Sequence, residues 1–229
     1  SGAQAPAGVF LPMTTAALLA LAVAITPARA APSQRYEPEA ASSHLAVQGT
    51  STMHDWEAVG DVIRGHLILS ETDLASLWAR GISSLEKIAP TVRVEIPVES
   101  LESGKSGLDK KMHETLKART HPVIAYRLEA AELKPGRNAS ETDTEEQLAV
   151  DTKGVLTVAG ESRAVEIPMQ IRRLPNSRLE ISGQTTLRMT DFGIDPPKLM
   201  MGLLRTGDEV RVRWKCVLIP TANASPNEQ

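Results

Sequence analysis

A two-residue hydrophobic period recurs along most of this chain and restricts its fold more than any other feature. From Thr91 to Val98 (TVRVEIPV), Val92, Val94, Ile96 and Val98 fall on one side of an extended chain, with Arg93 and Glu95 on the other. The alternation returns with Ile124, Tyr126 and Leu128, with Val165, Ile167, Met169 and Ile171, and with Val210, Val212, Trp214, Cys216 and Leu218. Successive side chains of a strand point to opposite faces, so each stretch reads as a strand with one apolar and one wet face.

Extending this reading gives eight strands: His44 to Thr52, Val59 to Leu69, Thr91 to Val98, Val123 to Leu133, Gln147 to Ala159, Arg163 to Arg173, Arg178 to Thr190 and Glu209 to Ile219. Short connections such as Gly160-Glu161-Ser162 and Leu174 to Ser177 make chain neighbours antiparallel hairpin partners. Either a two-sheet sandwich or an up-and-down barrel accommodates such a series, and only the barrel removes its edges by closing. Pro168 cannot donate to a ladder, which predicts a bulge there.

Two stretches depart from the β pattern. Ser106 to Ala118 places Leu108, Met112 and Leu116 at helical spacing, with Ser106 and Asp109 positioned to cap the first turn. This predicts a helix between the third and fourth strands. Asp73 to Arg80 (DLASLWAR), stopped by Gly81, is a weaker candidate for a second short helix. Either could cover a barrel mouth. The segment from Pro196 to Asp208 (PPKLMMGLLRTGD) carries too many large apolar residues for an ordinary surface connection. It reads as a flap over the mouth or as a short helix packed outside.

The termini have a different character. Ala16 to Ile25 (AALLALAVAI) is a continuous apolar run, followed by Pro27 and the Ala28-Arg29-Ala30 triplet. That is the pattern of a signal peptide over residues 1–30, cleaved after Ala30, and the run is short of the roughly 20 residues needed to span a bilayer. Stable membrane insertion is not expected. Residues 31–43 (APSQRYEPEAASS) read as a flexible tether, residues 44–219 as one barrel domain, and residues 220–229 as a polar tail. A periplasmic or secreted protein follows from the signal.

Several functions find no support in these residues. The 25 basic and 28 acidic residues are interspersed without a basic block, so nucleic acid is not an expected partner. A single cysteine, Cys216, excludes an intramolecular disulfide and any multi-thiolate metal site. His44, His54, His66, His113 and His121 show no tight ligand spacing, and neither a metal nor a cofactor is expected. His54 and Asp55 are adjacent and would point to opposite faces of a strand, which opposes a base–orienter pair. Gly104-Lys105-Ser106 lacks the first glycine of a phosphate loop, since Glu99 stands in its place. Asp191-Phe192-Gly193 has no accompanying kinase motifs and reads as a turn. The chain is not expected to be an enzyme.

One ordered set of motifs carries a resemblance. Gly49-Thr50-Ser51-Thr52-Met53-His54-Asp55-Trp56, the helix followed by His121-Pro122-Val123-Ile124, the hairpin Gly154 to Gly160, and Asp191-Phe192-Gly193-Ile194 occur in the order found in the YceI-like family. The similarity covers about residues 44 to 219, with a start like that of a GTSTMHDW subgroup. It implies a secreted or periplasmic, lipocalin-like eight-stranded barrel that can enclose a polyisoprenoid or a similar long-chain molecule.

The composition of the inward faces bears on whether such a barrel is open. Aromatic residues make up only 3% of the chain, and the apolar faces are mostly Val, Ile, Leu, Met and Ala, which leave more space than a Phe-rich interior. Ile124, Tyr126, Val158, Ile167, Met169, Met189, Val212 and Trp214 are the expected lining, with His54, Trp56, Met112 and Met200 at the mouth. The expected function is sequestration or carriage of an apolar isoprenoid, quinone or fatty-chain ligand. The alternatives are an interaction domain with a filled core and, third, an enzyme using His54.

Overall fold

A computed structural model describes Gly2 and residues 33–71, 86–88, 90–134, 147–199 and 204–221. The chain divides into two units, Ser1–Ala30 and Ala31–Gln229, and the architecture below is that of the second. Among the described residues its strands are β1 (Ser33–Pro38), β2 (His44–Ser51), β3 (Trp56–Gly60), β4 (Arg64–Ser70), β5 (Glu86–Ile88), β6 (Thr91–Pro97) and β7 (Leu101–Glu102). They continue with β8 (Val123–Leu133), β9 (Gln147–Val158), β10 (Glu161–Arg173), β11 (Leu179–Arg188), β12 (Lys198–Leu199) and β13 (Leu204–Pro220); helix α1 spans Ser106–Thr115.

Eight strands form a ring in the order β1-β4-β6-β8-β9-β10-β11-β13, and β13 returns to β1, with antiparallel pairing throughout. The fold is thus a closed all-β barrel. β1 and β2 both lie along β13, Tyr36 opposite Pro220 and His44 opposite Lys215, so they are two halves of one bent strand. The bend is a 3-10 turn at Ala40–Ser42. Ser43 bridges it: buried, it accepts the Val217 N–H on Oγ at 3.1 Å. β3 and β4 are likewise successive, one paired with β2 and the other with β1.

The tight β9–β10 hairpin turns at Ala159-Gly160, both at positive φ (52° and 89°), one residue ahead of the expected Gly160-Glu161-Ser162 connection. A two-residue hairpin of this hand needs left-handed backbone at both positions, which is what Gly160 supplies without strain.

Three expectations are corrected. The segment assigned to a tether contains β1, held between β4 and β13, with Tyr36 only 2% exposed. Six short, mostly polar residues carry little order of their own; the two flanking ladders and the burial of one large ring stabilise them. Pro168 marks no bulge. It pairs in register with Asp151 of β9, and the β10–β11 ladder stops at Met169 opposite Gly183, so its missing donor falls where β10 has a partner on one side only. Ser106 caps nothing in α1: the N-cap is Lys105, and Asp109 instead accepts the Ser103 N–H and Oγ–H, each at 2.6 Å.

Irregularities in the ladders appear between Leu128 and Ala130 of β8 and between Thr206 and Val210 of β13. The first changes the inward phase of β8, from Ile124, Tyr126 and Leu128 to Ala131 and Leu133, which are 3% and 1% exposed. One end of the barrel is packed by Tyr36, Leu69, Leu133, Val150, Leu179 and their neighbours. The other holds a smaller cluster of Val158, Ala159, Phe192 and Ile194. The expected second helix at Asp73 to Arg80 lies outside the described residues.

Candidate functional site

A cavity of about 750 Å³ occupies the barrel between these two clusters. Its wall is the recurrent apolar face of the strands. β6 contributes Val92, Val94 and Ile96; β10 contributes Ile167 and Met169; β13 contributes Val210, Val212, Trp214 and Cys216. α1 lies at the mouth, with Leu108 and Met112 on the cavity and no helix residue fully buried. The mouth also carries Lys110, Lys111, Glu114 and Arg188, so charge is confined to one end of an otherwise apolar space.

Three aromatic rings in the wall rest on glycines of the neighbouring strand. A Cβ at Gly49 would come within 2.4 Å of the Trp56 ring, one at Gly183 within 2.4 Å of Trp214, and one at Gly154 within 2.7 Å of Tyr126. Glycine lets each ring lie against the backbone instead of projecting across the lumen. The Tyr126 hydroxyl donates to Thr152 Oγ1 at 3.3 Å, and Thr152 Oγ1 in turn donates to the Ile167 carbonyl at 2.8 Å. Burial holds the Tyr126 phenol above its usual range against the opposing effect of the Thr152 contact, so the ring presents a neutral hydroxyl. Burial also pushes the Cys216 thiol up, which keeps it protonated and a poor nucleophile.

The match to known proteins extends over this whole frame. A family model described as "YceI-like domain" matches residues 36–218. The chain belongs to the YceI-like family. BcnA of Burkholderia cenocepacia is similar in structure, with a TM-score of 0.56 and 13% identity over 79% of this chain and 98% of that one. A polyisoprenoid binding domain from Saccharophagus degradans, implicated in plant cell wall breakdown, gives the same TM-score at 14% identity, covering 81% and 98%. At such identities the likeness concerns the fold. No curated protein matches the chain.

In this YceI-like barrel all eight residues expected to line the interior face the cavity: Ile124, Tyr126, Val158, Ile167, Met169, Met189, Val212 and Trp214. Of the mouth residues, Trp56 and Met112 lie on it, whereas Met200 is outside the described residues. His54 is not on it. It sits in the exposed β2–β3 loop, where its N–H and carbonyl both contact Ser51 Oγ, at 3.3 and 2.7 Å. Consecutive positions in that tight loop turn the histidine to solvent and leave only Trp56, at the start of β3, directed inward. The Pro196 to Asp208 segment includes a small hairpin, Leu199 opposite Leu204, and its tip lies outside the described residues.

Sequence reasoning missed Leu45, Val47, Ile181 and Leu187, which share the inward face with residues it named. Period-two alternation within the strands already drawn would have found them. Phe192 and Ile194 were also missed as lining. Phe192 closes the 3-10 turn Met189–Phe192, and Ile194 follows it beyond Gly193 (φ 62°), so neither lies in a stretch where period-two alternation carries a signal. Among the described residues no group of acidic, histidine or cysteine side chains is disposed to hold a metal ion. No helix there is long and apolar enough to cross a membrane.

Proposed function

We propose that this YceI-like protein is exported and sequesters or carries a long apolar chain, of the isoprenoid, quinone or fatty class, inside its barrel. The observation that carries this reading is the cavity of about 750 Å³ with an aliphatic wall and charge only at its mouth. An apolar space of this size with charge at one end suits a molecule with an apolar tail and a polar end at the rim. A core filled by its own side chains would have left no such volume. The polyisoprenoid binding domain from Saccharophagus degradans, similar in fold, supports the isoprenoid class. Export rests on the Ala16 to Ile25 run and the Ala28-Arg29-Ala30 triplet, and β1 begins at Ser33, so cleavage after Ala30 spares the barrel.

Native mass spectrometry of purified protein, before and after organic extraction, tests the reading. The expected result is a co-purified lipid in the wild type and a lower yield in Val212→Phe, which narrows the lumen at a half-buried wall position and still melts cooperatively. Tryptophan emission should shift on adding a long-chain probe, with Trp214→Phe removing most of the response. A protein that yields no extractable lipid and takes up no long-chain probe overturns the carrier function.

A further inference from the structure

Next to the main cavity lies a second one of about 50 Å³, lined by Leu67, Leu69, Leu128 and Leu179 among others from the packed end of the barrel. The two cavities share three lining side chains, Val92, Tyr126 and Met169, which come from β6, β8 and β10. These three form a partition between the open lumen and the packed end. They differ in freedom. Tyr126 is held on both sides, its ring against Gly154 and its hydroxyl on the buried Thr152. Val92 is β-branched and has little rotational freedom. Met169 is half-buried, unbranched and adaptable, with open volume on both sides.

We propose that Val92, Tyr126 and Met169 are the floor that sets the length of chain the barrel accepts, with Met169 the residue that decides whether the second chamber is used. This rests on the reading of the barrel as a carrier of a linear apolar chain. At about 30 Å³ per water-sized group, the main cavity holds roughly 25 such groups and the second chamber roughly two more. Cutting Met169 back to alanine removes three heavy atoms and joins the chambers. Together these add room for about five groups, the size of one isoprene unit.

The test uses a graded series of linear isoprenols, from geraniol upward, titrated into the delipidated protein and followed by tryptophan emission and native mass. In the wild type, affinity should rise with each added unit and then stop rising at a cut-off. Met169→Ala should move that cut-off up by about one five-carbon unit, so that the longest alcohols gain affinity relative to the shorter ones. Met169→Leu, which conserves volume, should leave it in place. If Met169→Ala does not fold, Met169→Val carries the same test with a smaller shift. An unmoved cut-off, or a loss of affinity spread evenly over all lengths, overturns the ruler while leaving the carrier function intact. Failure of every isoprenol to bind the wild type removes both for this ligand class.

Discussion

Gly183 stands opposite Trp214 across β11 and β13, and its missing side chain is where the indole lies. A methyl there would sit 2.4 Å from the ring, so Gly183→Ala must drive Trp214 toward the lumen. The expected cost is about 1–3 kcal/mol of overpacking, read in a urea melt, together with altered tryptophan emission. Gly107, in α1, has nothing within 4 Å of the same added methyl. Gly107→Ala should therefore stabilise by roughly 0.5–1 kcal/mol. Equal effects of the two changes would mean the ring is not seated on glycine. On the outer face, Glu180 of β11 bonds to Lys215 of β13 at 2.9 Å and to Arg172 of β10 at 3.0 Å, tying three strands together. Burial alone would raise the pKa of this carboxyl, but the Lys215 and Arg172 hydrogen bonds outweigh it and hold it below the usual range. A lowered folded pKa stabilises above the unfolded value of about 4.3 and is lost as pH falls through the folded one. Glu180→Gln should thus weaken the protein more at pH 7 than at pH 3, as compared by urea midpoints.

At the scale of the element, α1 covers the mouth with half-buried apolar residues, so its docking depends on how its ends are tied as well as on packing. The Asp109 carboxylate receives both the N–H and the hydroxyl of Ser103, and those bonds hold it below the ordinary aspartate range. Asp109→Ala should speed amide hydrogen exchange in residues 103–116 while leaving exchange in β9 and β10 unchanged. Acidification through the lowered Asp109 pKa should have the same local effect, because protonation removes the acceptor that the folded state uses. Uniform protection across variants would show that packing alone holds the helix. The helix itself was readable from Leu108, Met112 and Leu116, and the strands from their alternation, because each has a period that one face of water imposes. β8 shows where that legibility ends. Up to Leu128 the even positions are inward, and after the bulge the odd ones are, so Ala131 and Leu133 carry no sign of their burial in a simple alternation. Pro168 misled for a related reason. A proline reports a missing donor, and only the neighbouring strands decide whether that donor was needed.

The barrel as a whole depends on a segment that its own sequence hardly marks. β1 pairs with β4 through Ser33–Tyr36 and with β13 through Tyr36–Pro38, so a stretch of six residues completes the ring. Tyr36 belongs to both ladders and is 2% exposed among Leu67, Leu69 and Leu218 at the packed end. Removing β1 would leave two unpaired edges facing each other across a gap and would open the apolar cluster to water. A protein beginning at residue 31 should match the full chain in urea midpoint and remain monodisperse on size exclusion. One beginning at residue 39 should lose cooperative melting or self-associate through the exposed edges. Tyr36→Ala tests the packing contribution separately, with an expected loss of about 3 kcal/mol or more for deleting a buried aromatic. The two shortened proteins also bear on export. The proposed processing after Ala30 would leave two residues before the first strand, whereas a cut eight residues later would remove that strand. If the residue-39 protein instead keeps a single sharp transition at the same urea concentration, β4 and β13 can close on each other and β1 is dispensable.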